Sequence, residues 1–277
     1  MADILNEKYI TFSRKYFPAP QDMAQMHAHK NHEIYFLVSG TRRYFIKDAV
    51  YDVSANDVVI IPHGELHRTV TNFPSECERC LIYFPDIYTA DIRREIGDAA
   101  FEDFLRWGCF CFSESDTAYF KMLVNQIEAE SASSDGFSRL MLSEKLTELL
   151  VFSIRRGSPK GNALDKDAQR MQIVTRFIRE NYAQPIRLHD AAQLVYLEDS
   201  YFCRQFKKHT GFGFQEYLTQ LRLQSAANLL METNLSVNEI AGQCGFSGGN
   251  YFGDVFKRAY GLSPIQYRKS SRRLPIG

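Results

Sequence analysis

The strongest constraint on this chain is an eleven-residue pattern that occurs twice near its C-terminus, YFCRQFKKHTG at 201–211 and YFGDVFKRAYG at 251–261. Each copy follows a short apolar stretch, DAAQLV in the first case and NEIAGQC in the second. Phe202 and Phe206, like Phe252 and Phe256, are spaced i, i+4, which aligns them on one face of a helix. The unit is therefore a short helix, a tight turn and a second helix, over Ile186–Gly211 and again over Leu235–Gly261. Ser236 with Glu239 forms a capping box, and Ser263 before Pro264 places an N-cap next to a proline at the first helical position. Gly211 and Gly261 sit where a C-terminal capping glycine belongs. Between the copies, Phe214–Glu232 reads as one helix of 19 residues, about 28 Å long. A helix-turn-helix lays its second helix in the major groove of a duplex, and two units on a stiff rod would meet grooves about 34 Å apart.

Charge divides the chain in the same place. Its 33 Lys and Arg exactly balance 33 Asp and Glu, yet residues 168–277 carry 14 basic against 8 acidic side chains, leaving 19 against 25 in residues 1–167. A basic half joined to an acidic half suggests a nucleic-acid-binding module beside a sensing module. At 277 residues, with 45% hydrophobic and 24% charged side chains, the chain suits two globular domains rather than a disordered or collagen-like one. Its longest apolar runs, such as Val58–Ile61 and Leu149–Phe152, fall far short of the roughly 20 residues of a membrane helix. The N-terminus has no basic segment followed by an apolar one, so a cytoplasmic location is expected.

Residues 1–154 read as the sensing domain. EIYFLVSG, TRRYFIKD, VYDVSANDVVIIPHGE and ERCLIYFP are β-branched, aromatic and alternating, and predict antiparallel strands of a sandwich or barrel. From about Thr117 the period becomes helical, with Phe120, Leu123, Val124 and Ile127 in one helix and Leu142, Leu146, Leu149 and Leu150 in a second. SASSDG separates them. Their apolar faces suit either packing on the barrel or a dimer seam. RRGSPKGNALDKD, 155–167, has no apolar period and is expected to be a linker to the domain at 168–277. The six cysteines lack a disulfide framework. Cys77 and Cys80 are too few for a structural zinc, and Cys109 and Cys111 read as buried small hydrophobes.

Over residues 168–269 the chain resembles the AraC/XylS family of bacterial transcription regulators. The resemblance rests on Ala192, Phe206-Lys207-Lys208 and Thr210-Gly211 in the first unit. In the second it rests on Arg222-Leu223, Ala226, Leu229-Leu230, Ile240-Ala241, Gly245-Phe246, Tyr251-Phe252, Phe256-Lys257, Gly261, Pro264 and Tyr267-Arg268. It implies base contacts at Ser200, Cys203 and Arg204, and at Gly249, Asn250 and Gly253. Arg204 has the fork that matches guanine O6 and N7, and Asn250 can pair with adenine. Lys207, Lys208, Lys257, Arg258 and Arg268 are expected on phosphates, which position without specifying. Two departures stand out. Glu198 replaces the N-cap serine of the first recognition helix, weakening the cap or moving it to Asp199, and Asp254 stands where a basic residue is common, expected in a local salt bridge.

Five of the seven histidines fall between His27 and His67. His27, His29, Glu33 and Gly40 give H-x-H-x3-E-x6-G, and Pro62, Gly64 and His67 give P-x-G-x-x-H. These resemble the two motifs of the cupin barrel, with Asn56 in place of a motif glycine and the final asparagine one place late at Asn72. Residues 27, 29 and 33 share parity, so a continuous strand would point them to one face. The set could bind a divalent transition metal or, as the resemblance implies, a small effector such as a sugar without any required cofactor. Tyr35, of the same parity, could stack on or hydrogen-bond that ligand.

The expected protein is thus α+β and multidomain: an N-terminal β-barrel of cupin or jelly-roll kind with two helices, and an all-α C-terminal domain with two helix-turn-helix units. It is expected to be a non-enzymatic, effector-responsive activator of carbohydrate-related genes. Its partners would be double-stranded promoter DNA, RNA polymerase and a second copy of itself. The alternative is a metal-dependent cupin enzyme fused to a DNA-binding domain.

Overall fold

Alternation along strand β2 (His32–Ser39) sends Ile34 and Phe36 to one side and Glu33, Tyr35 and Leu37 to the other, and all five are buried. A strand buried on both faces needs a layer on each, and that requirement organises the N-terminal half. The computed structural model describes residues 9–18, 29–46, 48–70, 76–160 and 166–272. The chain divides into two units, Met1–Ala163 and Leu164–Gly277.

In the first unit, β2 lies at the middle of a larger sheet with β1 (Thr11–Phe17), β7 (Cys77–Phe84), β5 (Val58–Ile61), β8 (Cys109–Cys111) and β9 (Ser158–Pro159), in the order β1-β7-β2-β5-β8-β9. Strands β3 (Thr41–Ile46), β4 (Ala49–Ser54) and β6 (His67–Val70) make a smaller sheet, ordered β4-β3-β6. All the pairings are antiparallel. Tyr35, Leu37, Val59, Ile61, Cys77, Leu81 and Tyr83 of the large sheet share a core with Tyr44, Ile46 and Val53 of the small one. The expected barrel is therefore two facing sheets, and among the described residues no ladder closes them into a barrel.

The opposite face of the large sheet is covered by helices. Ile34, Phe36, Val58, Ile60, Cys80 and Ile82 pack with Phe120, Leu123, Val124 and Ile127 of a helix at Glu114–Ser131, and with Leu146, Leu149 and Leu150 of one at Ser138–Arg156. Two short helices, α1 (Ala90–Ile96) and α2 (Asp98–Leu105), precede this pair, which we label α3 and α4. Ser113 caps α3 by accepting from Asp116 N at 3.2 Å. Arg14 of β1 bridges Glu78 of β7 and Glu128 of α3, tying sheet edge to helix.

The stretch expected as a linker is partly built into this unit. Arg155 and Arg156 end α4, and Ser158–Pro159 pairs with β8. Lys160 donates its N–H to Cys109 O at 2.9 Å, and its ammonium pairs with the buried Asp57. Periodicity is blind to a two-residue strand fixed by one ion pair. Residues 161–165 lie outside the described residues.

The second unit is helical: α5 (Lys166–Asn181), α6 (Leu188–Leu194), α7 (Asp199–Thr210), α8 (Phe214–Glu232), α9 (Val237–Gln243), α10 (Gly249–Tyr260) and α11 (Pro264–Arg272). Helix α8 has the expected span, and its buried residues serve both flanking motifs. Phe214 and Tyr217 meet the rings of Phe202 and Phe206. Leu223, Ala226, Ala227 and Leu230 join Ile240, Phe252 and Phe256. Gly211 and Gly261 end α7 and α10 in the left-handed conformation, as a C-terminal cap requires.

Candidate effector site and nucleic-acid interface

His29, Glu33 and His67 converge in the layer between the two sheets, and the histidine protons decide what they can do. His29 Nδ1 lies 2.6 Å from Asn31 O, and His67 Nδ1 lies 2.9 Å from Glu65 O. A carbonyl only accepts, so in both rings the Nδ1 proton is the donor and Nε2 is turned inward. His29 Nε2 is 2.9 Å and His67 Nε2 3.6 Å from the same carboxylate oxygen, Glu33 Oε2. Burial alone would push Glu33 up; the hydrogen bond from His29 and the two imidazoles outweigh it and hold the carboxyl far below its usual range. Burial lowers His29, but the Glu33 hydrogen bond and charge leave it raised. The inward Nε2 atoms thus face the carboxylate through either a proton or a cation.

The three groups also meet a donor test for a metal: ligand atoms within 4.8 Å of one another, each histidine oriented by a carbonyl on its far nitrogen. The shared parity expected for His27, His29 and Glu33 is not the cause of their meeting. His29 precedes β2 and reaches Glu33 from the loop, and His27 lies outside the described residues, as does Asn72. Asn56 adopts φ +75°, so the residue at the motif glycine keeps the left-handed turn that asparagine tolerates. Gly40 is at φ +87°, and a Cβ there would clash with Glu76 O.

Around this triad the interior is unusually polar. Tyr35 and Tyr44 are fully buried, their rings 4.8 Å apart, and among the described residues neither hydroxyl has a hydrogen-bond partner; nor does Glu33 Oε1. Such orphans cost about 1–3 kcal/mol each unless a ligand satisfies them. Tyr44, Tyr83, Arg42 and Arg79 escape a motif search because no spacing marks them; strand register brings them inward. Glu33 pairs with Tyr83, and Tyr44 sits beside His67's strand opposite Thr69.

A second cluster, His32, His63 and Asp86, lies on the opposite face of β2, with ligand atoms equally close. Its protons run the other way. His32 Nδ1 accepts from His63 N at 3.2 Å, leaving Nε2–H to donate to Asp86 Oδ1 at 2.9 Å. That tautomer makes a buried structural bridge rather than a ligand lone pair. Burial also raises the thiols of Cys77, Cys80 and Cys109, which disfavours the reactive thiolate. Cys77 and Cys80 fall on opposite faces of β7, and burial pushes the Cys80 thiol up to about 11 and Cys109 up to about 12.

In the helical unit, Ser200, Cys203, Arg204, Lys207 and Lys208 are all exposed on α7. Asn250, Lys257 and Arg258 are exposed on α10, with Gly253 half-buried and open to the outside. Gly249 packs against the Asn238 side chain, whose Oδ1 stands where its Cβ would be. The Arg268 guanidinium donates to Leu230 O in the last turn of α8 and to Leu235 O in the connection after it, as Arg222 does to Tyr182 O and Gln184 O. Arg268 therefore clamps the fold through these two carbonyls. Asp254 is exposed and forms no ion pair among the described residues, against the local salt bridge expected for it. Glu198 starts α7 without a side-chain cap, and Asp199 takes His189 instead of capping.

Comparison with known proteins decides what the two units are. Residues 10–150 match the model of the AraC-like ligand-binding domain, half of the chain, and 191–270 match that of a helix-turn-helix domain. The chain belongs to the AraC family. It is an AraC-type regulator in which a ligand-binding domain is joined to a helix-turn-helix DNA-binding domain. It is 26% identical to the HTH-type transcriptional activator RhaR of Mannheimia succiniciproducens over 96% of this chain and 93% of that one. It is 25% identical to the activator RhaS of Enterobacter sp. (strain 638), covering 90% and 89%. The C-terminal domain of the response regulator yesN of Fusobacterium nucleatum aligns at 38% identity, covering 35% of this chain and 95% of that one, with a TM-score of 0.34. Among the described residues of this AraC-type chain, no helix is long and apolar enough to cross a membrane.

Proposed function

We propose that this protein is a transcription activator that binds promoter DNA as a homodimer, recruits RNA polymerase, and responds to a hydroxyl-rich small molecule, such as a sugar, held between the two sheets. The observation that carries the effector is the set of buried, unpartnered oxygens, Glu33 Oε1, Tyr35 Oη and Tyr44 Oη. Hydroxyl groups both donate and accept, so a polyol can answer the carboxylate and the phenols at once. Glu33 and His29 would orient the ligand, His67 would hold the carboxylate in place, and the facing sheets would exclude water. The relatives that span most of this chain are named as activators, which supports the same role here.

For DNA, Arg204 reads guanine, and Ser200, Cys203, Asn250 and Gly253 line the remaining base contacts, while Lys207, Lys208, Lys257 and Arg258 hold phosphates. Gly249, turned toward Asn238, contributes backbone only. The dimer face is the α3–α4 pair, which leaves Phe137 73% and Leu140 61% exposed beside Met122 and Met141. The ligand acts only by binding one arrangement of the regulator more tightly than another. A thermal-shift screen of the full chain against sugars tests the effector: a specific ligand raises the melting temperature with the logarithm of its concentration. The reading fails if Tyr35→Phe and Tyr44→Phe leave that shift unchanged.

A second reading has its own support. The two Nδ1–H donors aimed at carbonyls leave His29 Nε2, His67 Nε2 and Glu33 arranged as a ligand set for zinc, manganese, iron or nickel. Such an ion would supply a Lewis-acidic anchor for ligand oxygens. Elemental analysis of chain purified without chelator separates the two: stoichiometric metal lost in His67→Ala supports it, and none rejects it.

A further inference from the structure

Arg79 is a large cationic side chain of the inter-sheet layer that feels Glu33 and the Tyr35, Tyr44 and Tyr83 hydroxyls only through space. On β7 it alternates with Cys77, Leu81 and Tyr83, which all belong to the inter-sheet core, so it points the same way. It stacks at 5.5 Å over the Tyr35 ring and at 5.0 Å over Phe17. Among the described residues its guanidinium has neither a hydrogen bond nor an ion pair. Its cross-strand partner on β1 is Lys15, which puts two cations directly opposite each other, an arrangement that disfavours the sheet unless a negative charge joins them. Arg42, buried on β3, adds a third cation near Cys77. Among the described strand residues the acidic group facing this layer is Glu33, whose hydrogen-bonding and ion-pair contacts go to His29 and His67 rather than to Arg79.

We infer that the effector is an anion as well as a polyol: Arg79 and Lys15 take a carboxylate or phosphate group, while Tyr35, Tyr44 and Glu33 take its hydroxyls. The inference rests on the effector site proposed above and adds the chemical class of its ligand. A guanidinium presents two parallel N–H donors to either anion, which a packed, ring-stacked arginine can do without further ordering. The aromatic faces of Phe17 and Tyr35 fix the plane of that fork.

The test uses the full chain and three kinds of probe in thermal shift: neutral D-glucose and D-galactose, the carboxylates D-gluconate and D-galacturonate, and D-glucose 6-phosphate. Stabilisation by a carboxylate or by the phosphate, tenfold or more tighter than by its neutral counterpart, supports the inference and tells the two anions apart. In Arg79→Gln that preference should fall by about tenfold to a hundredfold, as expected for one charged hydrogen-bonded pair, with Arg79→Lys intermediate. If Arg79→Gln fails to fold, phenylglyoxal labelling of the unaltered chain replaces it: the favoured anion should protect Arg79 and its neutral counterpart should not. Equal binding of neutral and acidic probes, or an anion preference that survives Arg79→Gln, overturns the anionic class and leaves the effector site standing. No stabilisation by any probe, with Arg79 equally reactive throughout, rejects both.

Discussion

The two helix-turn-helix units share a plan but divide its costs differently. In the second, the turn between α9 and α10 passes through Gly245 at φ +78°, and a Cβ there would lie 2.6 Å from Ala183 O. In the first, the matching left-handed position is Tyr196, at φ +55° and 92% exposed. The equivalence is fixed by the closing hydrogen bonds, Phe246 N to Ala241 O and Leu197 N to Ala192 O. Capping differs as well: α6 of the first unit starts at Arg187 with no side-chain cap, and only Asp190 reaches back to the Arg187 N–H. The supporting helices α9 and α11 have reciprocal boxes, Ser236 with Glu239 and Ser263 with Gln266. Neither recognition helix has a side-chain cap, since α7 begins at Glu198 and α10 at Gly248. Exposed charge differs too: Arg204, Lys207 and Lys208 on α7 against Asp254, Lys257 and Arg258 on α10. The comparison teaches that the first unit tolerates a left-handed tyrosine and carries the basic recognition face, while the second needs a glycine at its turn and sets Asp254 among its cations.

Substitutions sharpen or break this contrast. The largest effect is expected from Gly245→Ala, which meets both a backbone clash and a left-handed φ: a loss of about 2–4 kcal/mol in denaturant unfolding of the helical unit. An unchanged midpoint would show that the two turns are equivalent after all. Arg204→Ala is expected to cost about 1–3 kcal/mol on the true DNA site and relax one base position. Lys257→Ala instead weakens all sequences alike and flattens the salt dependence by about one ion. Equal loss on specific and random duplexes for Arg204→Ala would remove its reading role.

Smaller effects separate strain from capping. Glu198→Ser restores a side-chain acceptor at the start of α7 and should stabilise by about 1 kcal/mol, seen as a higher melting temperature. Tyr196→Gly relieves the left-handed turn and, after the entropy of the added glycine, should change stability by less than about 1 kcal/mol, in the opposite direction to Gly245→Ala. A marked destabilisation would mean that the exposed ring packs in a way its exposure denies. Asp254→Ala should leave DNA affinity unchanged or tighten it slightly, because an unpaired carboxylate on a groove-facing helix only repels phosphate.

Much of the helical unit was legible in the sequence because its determinants are local. The i, i+4 phenylalanines, the Ser236 and Ser263 caps and the terminal glycines each act within a turn or two of helix, and all stand where spacing put them. The structural part of Arg268 was hidden for the opposite reason: the carbonyls it holds, those of Leu230 and Leu235, are more than 30 residues away in sequence. The sheet-rich unit was legible as strands but not as a site. Motif spacing found His29, Glu33 and His67, yet Tyr44, Arg79 and Lys15 enter through register between strands distant in sequence, which no single-chain pattern encodes. The short helices α1 and α2 and the clasp of Lys160 on Asp57 were hidden for the same reason.

Footprinting of promoter DNA by the full chain, with and without Arg204→Ala, tests the central claim most directly. The account expects two neighbouring protected major-groove segments, of which the Arg204→Ala chain loses one while keeping weak, salt-sensitive contact with the other. Protection without sequence preference, or a pattern indifferent to Arg204, would contradict it.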